Sequence, residues 1–205
     1  MLNRHARNAF TRLFTPVAAF LLRLHVSPDA VTLAGTLGVS LGALILFPLG
    51  QLFWGVVVIT LFVFSDVVDG IMARLADRAG RWGSFLDSTL DRVQDGAVFA
   101  GIAFWYFGAG HDFATGSLAL ACLALGNIVS YARAKAESLG YTANVGIAER
   151  AERLVSTLVV TGLVGLGLPV PFLTATLALL AAASIVTVCQ RVLTVRSQAD
   201  SPGAA

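Results

Sequence analysis

From residue 31 to residue 50 the chain carries no charged side chain, and apolar stretches of similar length recur almost to its end. About twenty such residues are what a helix needs to cross the hydrocarbon core of a bilayer. There a helix satisfies its own backbone hydrogen bonds, and no open irregular segment can. Six stretches meet this pattern: 31–50, 51–76, 83–110, 113–132, 154–171 and 172–190. Pro48, Gly50, Gly108, Gly110, Gly167 and Pro169 punctuate the turns between them. Composition agrees: 57% of the 205 residues are hydrophobic and 13% charged, with a mean hydropathy of +0.80, outside the range of an ordinary soluble domain. The expectation is an all-α integral membrane fold, six transmembrane helices preceded by an N-terminal amphipathic interfacial helix. It comprises a juxtamembrane segment 1–26, one six-helix domain 27–196 and a flexible tail 197–205.

The charges orient this bundle. All fourteen Lys and Arg fall in the N-terminal segment, the 74–81 loop, the start of the third span, the 133–153 connection or the C-terminal end. The connections near 48–51, 107–113 and 165–171 contain none. By the positive-inside rule both termini and the charged loops lie in the cytoplasm, which an even number of spans permits. The apolar run 17–22 is too short for a signal peptide and is interrupted by Arg23. Arg4, Arg7, Arg12 and Arg23, mixed with Phe10, Leu13, Phe14, Phe20 and Leu21, suit a helix lying on an anionic leaflet or a plain topology anchor. Cys122 and Cys189 have no CxxC spacing, which disfavours a disulfide or zinc site.

Against this background stands one acidic motif, D-x-x-D-G-x-x-A-R-x8-G-x-x-x-D-x-x-x-D, formed by Asp66, Asp69, Gly70, Ala73, Arg74, Gly83, Asp87 and Asp91. Ionisable groups at a membrane edge are costly and mark a functional site. Asp66 and Asp69 are i and i+3 on one helix, and Asp87 and Asp91 are i and i+4 on the next, so each pair shares a face. A short connection makes the two helices antiparallel neighbours whose carboxylates converge. Gly70 and Ala73 leave room for a substrate, and Gly83 suits a tight turn. Four like charges need a compensating cation. With no His or Cys in the motif the ligands are oxygens, which select Mg²⁺, with Mn²⁺ as a second candidate. Four carboxylates suffice for two ions, an arrangement suited to displacement at phosphorus. Asp77, Asp95 and Asp112 read as solvated or capping residues.

The eight positions match, without a gap or substitution, the signature of the CDP-alcohol phosphatidyltransferases, and the chain resembles that membrane family. The resemblance implies transfer of a phosphatidyl-type group from a CDP-alcohol to a second alcohol, with release of CMP. It further implies metal ligation by Asp66, Asp69, Asp87 and Asp91, with Asp91 also the general base. Gly70, Ala73 and Arg74 would line the CDP pocket beside Asp66, with Gly80 adding a backbone contact. A second likeness lies in Ser27-Pro28-Asp29-Ala30-Val31-Thr32, similar to the family's Pro-Asn-x-x-Thr stretch, with Asp29 where Asn is usual. Read alone, Ser27 or Asp29 is a helix N-cap; within the family, Asp29 and Thr32 become contacts to the cytidine portion.

The acceptor is read from a second cluster: Arg133 and Lys135, Arg150 and Arg153, and Arg191. Basic residues at cytoplasmic helix ends are also what topology alone demands. Beside a metal-phosphate site, however, they suit an acceptor carrying its own phosphate. The stretches 130–137, 149–154 and 189–191 resemble the actinobacterial phosphatidylinositol-phosphate synthases within the family. That likeness implies CDP-diacylglycerol as donor and inositol 1-phosphate as acceptor, its phosphate held by Lys135, Arg153 and Arg191 with Arg133 nearby. Glu149 and Glu152 would orient the arginines. It also implies a homodimer in the plasma membrane with a cytoplasmic active site, and no nucleic-acid partner. Relatives using glycerol 3-phosphate, the phosphatidylglycerol-phosphate synthases, are the alternative. A cation transporter fits less well, since its path would need polar groups in the outer half, where His111 and Asp112 stand almost alone. A silent scaffold would not need four aspartates.

Overall fold

The computed structural model describes residues 4–77 and 80–200, with side chains from Leu13 onward. The described residues form helices and their connections: α1 (Arg4–Arg23), α2 (Pro28–Leu41), α3 (Leu52–Val63), α4 (Ser65–Leu75), α5 (Arg81–Phe107), α6 (Phe113–Ser138), α7 (Arg150–Gly165) and α8 (Pro171–Ala199). A π-helical segment, Gly42–Leu46, extends α2. Four helical stretches are long and apolar enough to cross a membrane: Pro28–Leu46, Leu52–Leu75, Phe113–Ser138 and Pro171–Ala199. The charged half of α5 and the brevity of α7, 16 residues with Arg150, Glu152 and Arg153 at its start, separate these two from the four. Large apolar side chains face outward, among them Leu37, Leu61, Leu179 and Leu193, as a lipid-facing surface requires.

The expected second span is two helices. Ser65 Oγ donates to the Phe62 carbonyl at 2.6 Å, offering that oxygen a partner other than the next helical turn. The α-helical pattern is interrupted at Phe64, two residues before Asp66, and α4 begins with the motif. Pro28 opens α2 at its first turn, and Ser27 Oγ accepts from Ala30 N at 3.2 Å, so Ser27 is the N-cap there. Around these sits a core including Phe47, Ile59, Phe99, Ile102, Leu173 and Leu177.

Two expectations are amended. α1 is helical, but its Ala18 packs with Val68, Ile71 and Met72 of α4, so the segment leans on the motif helix. The side chains of Arg4, Arg7, Phe10 and Arg12 lie outside the described residues. α8 runs to Ala199 where a flexible tail from 197 is expected, and Gln198 accepts from Thr142 N (2.9 Å) and donates to Thr142 O (2.6 Å). Residues 201–205 of that tail lie outside the described residues.

Helices approach closely where glycine permits it. A Cβ on Gly101 would stand 2.4 Å from the Ala43 carbonyl oxygen, inside the π-helical segment, so α5 and that segment would have to separate. Gly101→Ala is expected to lower stability by about 1–3 kcal/mol. Gly96→Ala, whose Cβ would meet only Leu123 at 4.0 Å, should be neutral or slightly stabilising. Thermal unfolding of the two variants in detergent checks the contrast.

Candidate active site

A cavity of about 440 Å³ opens between the start of α2, α4 and the start of α5. Its wall contains every residue expected to contact the donor: Asp29, Thr32, Asp66, Gly70, Ala73, Arg74 and Gly80. Asp69, Asp87 and Gly83 line it too. The close packing of α2 on α4 explains the assembly: a Cβ on Gly35 would lie 1.7 Å from Ser65 Oγ, so only glycine admits this approach. One turn before Gly35, the Thr32 hydroxyl therefore reaches Asp69 and donates to its Oδ2 at 2.5 Å. Asp69 is buried, whereas Asp87 is exposed at the cavity rim.

Sequence reasoning did not single out Trp82 or Ser84, which also line the cavity. The Trp82 indole N–H donates to Asp29 Oδ2 at 3.0 Å, joining α5 to α2 across the cavity.

Asp91 does not line this cavity. It points toward α7, where its Oδ1 lies 2.8 Å from Arg150 Nη1. The same nitrogen is 3.8 Å from Asp66 Oδ2. Arg150 Nε meets Asp95 Oδ1 at 3.2 Å, and Nη2 donates to Gln94 Oε1 at 2.8 Å. Buried Gln94 in turn donates through Nε2 to Thr36 Oγ1 (3.2 Å) and Asp66 Oδ1 (3.3 Å). One guanidinium thus connects α4, α5 and α7.

Asp95 is the clearest correction. It is 6% exposed, not solvated, and its carboxylate faces three arginines: Arg150, Arg92 (3.6 Å) and Arg153 (3.7 Å). The signal was present in the spacing, since Asp87, Asp91 and Asp95 recur every four residues on one helical stripe. Asp77 is exposed and Asp112 caps α6, accepting from Thr115 N at 3.0 Å, as expected of both.

The four expected acceptor residues lie apart from the cavity wall. Arg153 is 1% exposed; its Nη1 donates to the Ala148 carbonyl at 2.9 Å, while Nε and Nη2 make no hydrogen bond. Arg191, 3% exposed, donates to the carbonyls of Val145 (2.9 Å) and Val129 (2.5 Å), which fastens the α6–α7 connection to α8. Arg133 is exposed and paired with Glu137 at 2.9 Å, and Lys135 is exposed one half-turn on. Glu149 and Glu152 are also exposed, and Asp95 holds Arg150 and Arg153 in their stead.

As the side chains stand, no three of the described His, Cys, Asp and Glu groups close on a point that could hold a metal ion. The donor set nevertheless fits one. It is oxygen-only, and Arg150 Nη1 lies between carboxylates of two helices as a cation would.

Asp95→Ala is expected to destabilise the protein by about 3–5 kcal/mol, because it strands buried Arg153 and partly buried Arg150. Exposed Asp77→Ala should stay within about 0.5 kcal/mol of the parent. Unfolding transitions measured side by side test this.

Comparison with known proteins gives a consistent result. The family model of the CDP-alcohol phosphatidyltransferases matches residues 25–189. A phosphatidylinositol phosphate synthase of Streptomyces avermitilis is 54% identical, covering 100% of this chain and 86% of its own. One from Cutibacterium acnes is 47% identical, covering 96% and 99%. Among solved structures, the Mycobacterium tuberculosis phosphatidylinositol phosphate synthase with CDP-DAG bound superposes with a TM-score of 0.87 at 41% identity, covering 94% of this chain and 96% of that one. The same enzyme in complex with manganese and citrate gives 0.86 at 41% identity, covering 93% and 91%.

Proposed function

The chain belongs to the CDP-alcohol phosphatidyltransferase family of metal-dependent membrane enzymes, and from that premise we propose that it transfers the phosphatidyl group of CDP-diacylglycerol to inositol 1-phosphate. The products are phosphatidylinositol phosphate and CMP. One observation carries the reading: the cavity between α2, α4 and α5 gathers Asp66, Asp69 and Asp87 of the acidic motif with Asp29 and Thr32. Relatives 54% and 47% identical are named phosphatidylinositol phosphate synthases, which supports a phosphorylated inositol as the acceptor.

Asp66, Asp69, Asp87 and Asp91 would hold two divalent ions, Mg²⁺ or Mn²⁺. Bound there, such ions supply positive charge to the pyrophosphate of the donor. Asp29, Thr32, Gly70, Ala73 and Gly80 seat the cytidine and ribose, and exposed Arg74 reaches the phosphates from the cavity wall. Asp91 accepts the proton of an inositol hydroxyl. The freed oxygen attacks the phosphorus that carries diacylglycerol, the bond from that phosphorus to CMP breaks, and CMP leaves. Lys135, Arg153 and Arg191 bind the acceptor phosphate, with Arg133 adding charge. Arg153 Nε makes no hydrogen bond and its Nη2 only a 3.7 Å ion pair with Asp95, which suits that role.

In this reading α5 and α7 complete six spans, and α1 rides on the cytoplasmic leaflet of the plasma membrane against α4. The domain extends over 27–196 and works as a homodimer with its site facing the cytoplasm, where inositol 1-phosphate enters.

The test is CMP release by detergent-purified protein given CDP-diacylglycerol, Mg²⁺ and one acceptor at a time. Inositol 1-phosphate should support turnover, and glycerol 3-phosphate or free inositol should not. Turnover with either of the latter alone would replace the acceptor assignment and leave the donor site intact. Asp91→Asn should lower turnover by about 10²–10⁴-fold while donor binding persists; near-normal turnover would remove Asp91 as the base.

A further inference from the structure

Arg150 is the least explained charge in the site. Nothing in the motif requires it, yet its guanidinium touches four side chains on two other helices. Its three nitrogens divide the work. Nε and Nη2 are held by Asp95 and Gln94, which belong to neither the motif nor the cavity wall. Nη1 alone lies on motif carboxylates, 2.8 Å from Asp91 Oδ1 and 3.8 Å from Asp66 Oδ2. These are two of the oxygens that the metal reading needs.

We propose that Arg150 is a resident counter-cation of the aspartate site, paired with Asp91 beside Asp66 and competing with a divalent ion for those two carboxylates. The inference rests on the metal reading above and adds to it a competition. The guanidinium takes up one lone pair of Asp91 Oδ1 at 2.8 Å and, as a fixed positive charge beside Asp66 and Asp91, opposes a divalent ion at the same carboxylates. The anchors at Asp95 and Gln94 make the exchange local. Asp91 can turn away while Nε and Nη2 keep their partners, so the guanidinium remains beside the site.

The competition fixes the sign of an effect that a merely structural residue would not produce. A residue that only holds Asp91 in place for the metal strengthens metal binding, and its loss weakens it. A competitor does the reverse. By linkage, removing the guanidinium should tighten metal binding by the same factor that the metal weakens the ion pair.

The experiment titrates Mn²⁺ into detergent-purified, chelator-stripped protein, read by electron paramagnetic resonance, with melting temperatures taken with and without Mn²⁺. Arg150→Gln is expected to bind Mn²⁺ about five- to tenfold more tightly than the parent. It should melt lower in chelator and gain more on adding Mn²⁺. Unchanged or weaker Mn²⁺ binding in Arg150→Gln overturns the proposal while leaving the metal site standing. A parent protein that binds no Mn²⁺ overturns both. If Arg150→Gln does not fold, Arg150→Lys serves instead, since a point charge lacks the planar fork that grips Asp91 and Gln94 together. It should bind Mn²⁺ about two- to fivefold more tightly, and weaker binding would overturn the proposal.

Discussion

Carboxylates inside a helix bundle demand compensation, because the surroundings screen them poorly and an unpaired buried charge is more costly than the bonds that hold one helix to the next. The protein meets this demand with arginines brought from elsewhere in the chain. Arg150 at the start of α7 faces Asp66, Asp91 and Asp95; Arg153, one turn on, and Arg92 also face Asp95. Arg92 is itself held by the Ser130 hydroxyl of α6. This web ties α4, α5, α6 and α7 together at one end of the bundle. The positions of the motif aspartates follow from it as much as from their own helices.

The other half of the site depends on close backbone approach instead of charge. Gly35 lets α2 press on the break between α3 and α4, and Thr32 then meets Asp69 across the gap. Trp82 closes the same gap from α5 through Asp29. The cavity is thus bounded by close backbone packing at Gly35 on one side and by the exposed Trp82–Asp29 hydrogen bond on the other.

Much of this was legible in the sequence because the motif is local. The seven expected donor contacts fall within 29–80, on helix faces fixed by three- and four-residue spacing, and all seven line one cavity. The acceptor residues were harder to place. Arg153 and Arg191 are identifiable as cations from sequence. Their burial, and their use in bonding the carbonyls of Ala148, Val145 and Val129, depend on how the α6–α7 connection folds against α8. Asp95 was misjudged for the same reason: its stripe and its neighbour Arg92 were visible, but Arg150 and Arg153, which also face it, come from α7.

The sequence by itself determined that this chain forms apolar helices with one acidic site, and which residues share a face. Hydropathy and helical periodicity act within a segment, and a segment's own residues suffice to read them. Only the tertiary structure decided that Arg150 stands between Asp66 and Asp91, and that Gln94 and Asp95 belong to the site. Those outcomes turn on distances between helices, and such distances are set by which side chains must be neutralised and where glycine lets backbones meet.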